Sequence, residues 1–97
     1  MDSIMINGII IGFGNMGQTH YERYSNLGVN IVAVIDNDKS KSDLARSKGL
    51  KSYQELSQFP KIEEFNFIDI CSPTFFHFDH LMKSIKYKKP IFIDLNK

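Results

Sequence analysis

Three glycines and one aspartate carry most of the chemical information in this chain of 97 residues. Gly12-Phe13-Gly14-Asn15-Met16-Gly17 has the spacing G-x-G-x-x-G. It stands between an apolar run, Ile4-Met5-Ile6 with Ile9-Ile10-Ile11, and a stretch of helical periodicity from about Asn15 to Leu27. At such a strand-to-helix turn the first glycine permits the tight bend. The second lets an anionic group approach the backbone, and the third lets helix and strand pack closely. The N–H groups of the helix's first turn lack intrahelical acceptors and form the positive end of its dipole, so the loop suits a phosphate or pyrophosphate. As a bare pattern the motif is weak, because glycine is common; its position after a strand gives it weight. A glycine-rich turn without a ligand is the alternative.

Asp36 follows Gly17 by 19 positions and closes the run Asn30 to Ile35. A carboxylate at the end of the second strand can accept both ribose hydroxyls of an adenosine. A 2′-phosphate in that place would meet like charge at about 4–5 Å. At an effective dielectric of ~20 this repulsion supports ~100-fold discrimination. The expected cofactor is therefore NAD, with NADP disfavoured and the nearby Lys39 and Lys41 as a counterweight. The other reading of Asp36 is a turn former in the run Asp36-Asn37-Asp38.

The elements that must hold these residues alternate. The spacing predicts a first strand ending at Ile11, then a helix from Asn15 to Leu27 with Met16, His20, Tyr24 and Leu27 near one stripe. A second strand spans Asn30 to Ile35, and a polar helix Lys39 to Lys48 stops at Gly49. A short third strand lies near Leu50 to Tyr53, with a helical turn from Gln54 to Gln58. The fourth strand, Phe65 to Cys71, is broken by Ser72-Pro73. A helix from Phe75 to Tyr87 places Phe78, Leu81, Met82 and Ile85 on one side. A fifth strand, Ile91 to Leu95, follows Pro90. Strands alternating with helices imply an α/β fold: a Rossmann-type doubly wound parallel sheet of about five strands, order 3-2-1-4-5, with helices on both faces. Residues 1–97 read as one dinucleotide-binding domain.

Composition narrows the function. Apolar residues at 42% and charged residues at 24% are those of a globular domain. A net charge of +1 gives no reason to expect nucleic acid or an anionic membrane as partner. The lone Cys71 forms no internal disulfide, no apolar stretch approaches a membrane span, and Met1-Asp2-Ser3 does not open a signal peptide. The expected location is the cytoplasm. No set of metal ligands is expected, and no catalytic residue is assigned.

With these residues placed, the sequence resembles the Gfo/Idh/MocA family, named for glucose–fructose oxidoreductase, inositol dehydrogenase and a rhizopine-catabolism protein. The resemblance runs along almost the whole chain. It begins with the fingerprint Gly12 to Gly17 followed by His20, and continues with the second strand ending in Asp36 and the stretch Lys48-Gly49-Leu50-Lys51-Ser52-Tyr53. Its most specific part is Ile70-Cys71-Ser72-Pro73-Thr74-Phe75-Phe76-His77, similar to the family's strand–Thr-Pro-Asn/Thr-x-x-His segment. The resemblance implies that Ser72, Pro73 and Thr74 lie beside the nicotinamide ribose and linking phosphates, and that His77 opens the next helix. Read from the residues alone, Pro73-Thr74 is also an ordinary strand exit with a threonine cap. His77 is equally a capping or packed histidine, and His20 a packing residue.

The family usually follows its fifth strand with Glu-Lys-Pro, whose lysine handles a proton at the substrate. Here the stretch is Asp94-Leu95-Asn96-Lys97: Asp94 stands for the glutamate, Leu95 occupies the lysine's place and Lys97 comes two residues late. The resemblance implies an NAD(P)-binding domain of an oxidoreductase acting on a sugar or cyclitol hydroxyl, as a truncated or partial enzyme inactive by itself. A stand-alone NAD-binding regulatory module without catalysis is the other class considered. The apolar edge Ile91 to Leu95 implies either self-association or continuation of the chain beyond residue 97.

Overall fold

In the computed structural model, residues 5–93 are described. They form β1 (Asn7–Ile11), α1 (Asn15–Asn26), β2 (Asn30–Ile35), α2 (Lys39–Ser47), β3 (Ser52–Tyr53), β4 (Phe67–Ile70), α3 (His77–Ile85) and β5 (Ile91–Ile93). Short 3₁₀ turns at Leu56–Gln58 and Thr74–Phe76 precede β4 and α3. The five strands make one sheet in the order β3-β2-β1-β4-β5, and every pairing is parallel. This is the expected order and fold class.

The strands are continuous apolar runs because both sheet faces are covered. Ile9, Ile11, Ala33, Ile35, Ile68 and Ile70 pack on one face with Leu56, Phe59, Phe65 and the α3 residue Leu81. Ile10, Ile31, Val34 and Phe67 pack on the other with Phe13, Ala45 and the α1 residues Met16, Tyr21 and Tyr24. Period-two alternation sorts strand neighbours into two cores, except in β2 at the register shift with β1, where Ile31 and Ala33 face opposite cores. The parallel arrangement brings the carboxyl ends of β1, β2 and β4 to one side of the sheet, where ligands bind in open α/β folds. Among the described residues no helix is long and apolar enough to cross a membrane.

Several boundaries are tighter than the sequence implies. Met5 and Ile6 precede β1 and are exposed, β3 shrinks to two residues, and β4 starts at Phe67. Leu27 ends up 76% exposed, because α1 stops at Asn26 before its stripe reaches that turn. The larger correction concerns α3. Phe78 is 75% exposed and Met82 and Ile85 about half, whereas His77 and Ser84 are buried. His77, Leu81 and Ser84 recur at i, i+4 and i+7, so this face, small and polar at its ends, lies on the sheet. Of the predicted stripe only Leu81 packs on that core. Residues 94–97, including Asp94, Leu95 and Lys97, lie outside the described residues.

Candidate cofactor site

The three glycines of the fingerprint have three different structural causes. Gly12 sits at φ +94°, and a Cβ there would lie 2.6 Å from the Ser72 backbone nitrogen. A Cβ on Gly17 would strike the Gly12 carbonyl oxygen. Both positions are therefore closed to larger residues by the chain itself. Gly14 differs: a Cβ there would meet only Lys41 Cε, at 3.7 Å. Its front is open space.

Gly14 is the N-cap of α1, in an extended conformation; it makes no side-chain capping bond, and the first turn holds no acidic residue. The first N–H groups of α1 thus remain available to an anion. The loop itself is braced: Gly12 N–H donates to Ile35 O at 2.8 Å and Gln18 Nε2 to Phe13 O at 3.0 Å. Phe13 is part of the brace. Its ring is fully buried against Tyr21, and its N–H donates to Asp36 Oδ2 at 2.8 Å. Asn15 is exposed, and Met16 is half-buried between the second core and the groove.

Asp36 is held from both sides. Oδ2 accepts from Phe13 and Oδ1 accepts from the Asp38 N–H at 2.9 Å. Each carboxylate oxygen retains a lone pair for a further donor. Asp38 caps α2 through Ser40, whose hydroxyl and N–H, followed by Lys41, hold its carboxyl below the usual range. Lys39 reaches Asp43 along its own helix, while Lys41 lies beside Asp38 on the groove wall.

The segment after β4 forms the opposite wall. Ser72 and Pro73 line the groove, but His77 turns inward: it is 8% exposed, and its Nε2 donates to the Ser72 carbonyl at 2.7 Å. Its Nδ1 is buried without a hydrogen-bond partner among the described residues. Thr74 begins the 3₁₀ turn, with Pro73 as its N-cap, so no threonine cap opens α3. The histidine of this wall that reaches the groove is His80, which the sequence reading did not single out. His80 Nδ1 lies 2.6 Å from Ser72 Oγ, and its ring stacks on Phe76. Burial pushes its pKa down. Its signal in the sequence was only a position one helical turn past Phe76. The groove between the walls has a volume of about 1000 Å³ and runs from Asp36 past Gly14 to Ser72 and His80.

A parallel sheet in this order, with a glycine loop feeding an uncapped helix at its carboxyl edge, defines a dinucleotide-binding domain. The chain matches the oxidoreductase family with an NAD-binding Rossmann fold, Gfo/Idh/MocA, over residues 6–94. The chain belongs to that family, and its cofactor is NAD. No curated protein sequence matches it significantly.

Among solved structures it is similar to myo-inositol 2-dehydrogenase from Lactobacillus plantarum, with TM-score 0.79 and 24% identity over 96% of this chain and 30% of that one. It is also similar to the WlbA dehydrogenase from Bordetella pertussis in complex with NADH and UDP-GlcNAcA, with TM-score 0.84, 14% identity, 96% of this chain and 29% of that one. A third is an oxidoreductase from Agrobacterium radiobacter in complex with NAD+, L-tartaric acid and magnesium, with TM-score 0.80, 21% identity, 91% of this chain and 27% of that one. The chain thus spans less than a third of the length of each. At these identities the likeness is one of fold.

Proposed function

We propose that this chain is the cofactor-holding part of an oxidoreductase that acts on a sugar or cyclitol hydroxyl. The observation that carries the reading is the open space before Gly14, framed by the uncapped start of α1 and by the Asp36 carboxylate. In this reading the loop Gly12 to Gly17 receives the pyrophosphate on the N–H groups of Gly14, Asn15 and Met16, while Phe13 and Gly17 shape the loop from behind. Asp36 accepts the adenosine ribose hydroxyls. Ser72 and Pro73, with Thr74, border the nicotinamide end, and Asp94 belongs to the same end. His77 acts by fixing the Ser72 carbonyl. When bound, the cofactor supplies hydride acceptance at nicotinamide C4; the chain's part is to orient it and to keep its two ends in register. Two of the similar structures, an inositol dehydrogenase and a dehydrogenase in complex with UDP-GlcNAcA, support the substrate class. The lone cysteine is consistent with a cytoplasmic setting.

Calorimetric titration of the chain with NAD and NADP tests the cofactor assignment. NAD should bind, NADP should bind more weakly, and Asp36→Ala should narrow the gap. Equal affinity in the unmodified chain would overturn the role given to Asp36. Turnover assays of a chain extended to family length, with a panel of cyclitols and sugars, test the substrate class.

A further inference from the structure

Asp69 is an acidic residue in the centre of β4, 1% exposed, between the fully buried Ile68 and Ile70 and paired in register with Ile10. A carboxylate in such surroundings is costly unless its charge is compensated. Two residues one turn apart on α1 reach it: His20 Nδ1 lies 2.7 Å from Asp69 Oδ2, and the Tyr24 hydroxyl donates to the same oxygen at 2.6 Å. Cys71, the residue just past β4, lies two positions on from Asp69, and its Sγ is 3.3 Å from His20 Nδ1. One nitrogen, one oxygen and one sulfur donor thus converge within 4.8 Å of one another. We propose that His20, Asp69 and Cys71 bind one divalent ion of borderline softness, with Zn2+ the best match, in a site that opens on the cofactor groove.

Nδ1 carries at most one hydrogen, and it faces both a carboxylate oxygen and a sulfur. With the imidazole hydrogen on Nε2 and the thiol deprotonated, all three atoms present lone pairs to a cation at the point of convergence. At metal–ligand distances of roughly 2.0–2.3 Å, the ligand atoms of a tetrahedron sit about 3.3–3.7 Å apart. The nitrogen–sulfur separation of 3.3 Å is already there; the nitrogen–oxygen pair, at 2.7 Å, must open by about 0.6 Å, and the oxygen and sulfur start within 4.8 Å of each other, so the partly buried His20 ring and the Cys71 side chain adjust around the ion. Imidazole, carboxylate and thiolate together select zinc or cobalt over magnesium or calcium. Tyr24 completes the set by donating to the ligating carboxylate, the usual outer support of such a ligand. His20 and Cys71 both line the groove, which leaves a fourth position for water or a ligand oxygen. Binding releases one proton per ion: the thiol proton leaves to solvent, and the imidazole hydrogen shifts to Nε2.

The test uses the untagged chain, with Co2+ as the spectroscopic form of the probe and Zn2+ as competitor. One Co2+ per chain should bind, giving a near-ultraviolet thiolate-to-cobalt charge-transfer band and the intense visible bands of a four-coordinate ion, both abolished by Zn2+. Cys71→Ser should remove the charge-transfer band. His20→Ala should weaken binding by more than about 10-fold, and Tyr24→Phe by about 10-fold. As a check that needs no variant, Zn2+ should slow alkylation of Cys71 in the unmodified chain. Two results would each overturn the site: no stoichiometric uptake with alkylation indifferent to Zn2+, or uptake that survives both Cys71→Ser and His20→Ala.

Discussion

The main-chain N–H of Phe13 donates to Oδ2 of Asp36 at 2.8 Å, joining two residues 23 positions apart. The bond ties the glycine loop to the end of β2, so the residue proposed to discriminate between cofactors also holds the loop proposed to receive their phosphates. Asp36→Ala therefore acts on both halves of the groove. Loss of a charged acceptor should cost NAD affinity about 1.5–3 kcal/mol and relax the preference over NADP. Thermal unfolding should fall as well, because the buried Phe13 loses its tether. Calorimetry and a melting curve read the two effects separately; an unchanged melting temperature would show that the brace is unimportant.

Gly14 and Gly17 should respond in opposite ways. Gly14→Val fills open space, so circular dichroism should report an intact fold while NAD binding is lost. Gly17→Ala drives a methyl into the Gly12 carbonyl and should destabilise the fold by about 1–3 kcal/mol, the usual range for overpacking. Retained binding by folded Gly14→Val would move the nucleotide elsewhere.

This contrast shows what a linear reading reaches. The G-x-G-x-x-G spacing, the Asp36 offset and the alternating apolar runs are local patterns, and each maps directly onto β1, α1, β2 and the sheet order. The rotation of α3 was not legible, because Phe78, Met82 and Ile85 form as regular a stripe as the face that is actually buried. Ser84 faces the sheet because a small side chain permits close approach, and hydropathy does not record that. His80 and the group around Asp69 were invisible for a related reason. Asp69 lies 49 positions from His20 and only the parallel register brings them together. Phe13, the fingerprint's second position, is fully buried and packs its ring in the second core, which the spacing of the motif does not record.

His80 should make stability depend on pH. Its pKa lies below its ordinary value of 6.5, chiefly because burial disfavours the charged ring. Below 6.5 the unfolded chain takes up a proton that the folded chain resists, so stability is full above that value and declines as pH falls toward the folded pKa. Chemical denaturation at pH 7.5 and 5.5 should show a smaller loss in His80→Gln than in the unmodified chain. An identical pH slope in both would remove His80 as the source.

The 97 residues alone should show no turnover of NAD with cyclitols or sugars. Hydride transfer requires the alcohol to be held close to the nicotinamide, and that positioning contributes about 7–11 kcal/mol. The similar structures are more than three times as long as this chain. Steady NADH production above background from the unextended chain would overturn this, and would direct attention to His80 or Lys97 as the proton acceptor.

The fifth strand should govern association. β5 closes the sheet order and pairs on one side with β4, with Ile68 opposite Ile91 and Ile70 opposite Ile93. No strand covers its other side among the described residues. Phe92 is 53% exposed although it packs on Phe67, so the edge presents apolar surface beside unpaired N–H and C=O groups. No proline or lysine lies within Ile91–Ile93 to blunt it, and natural sheets guard such edges because they recruit other chains. Sedimentation of the 97-residue chain across a concentration series should therefore show reversible self-association. Phe92→Glu, which places a charge on the edge and leaves Ile91 and Ile93 in the core, should shift the equilibrium toward monomer. A chain that stays monomeric at high concentration, or a Phe92→Glu variant that associates as well as the original, would show that pairing at this edge is not the driving contact.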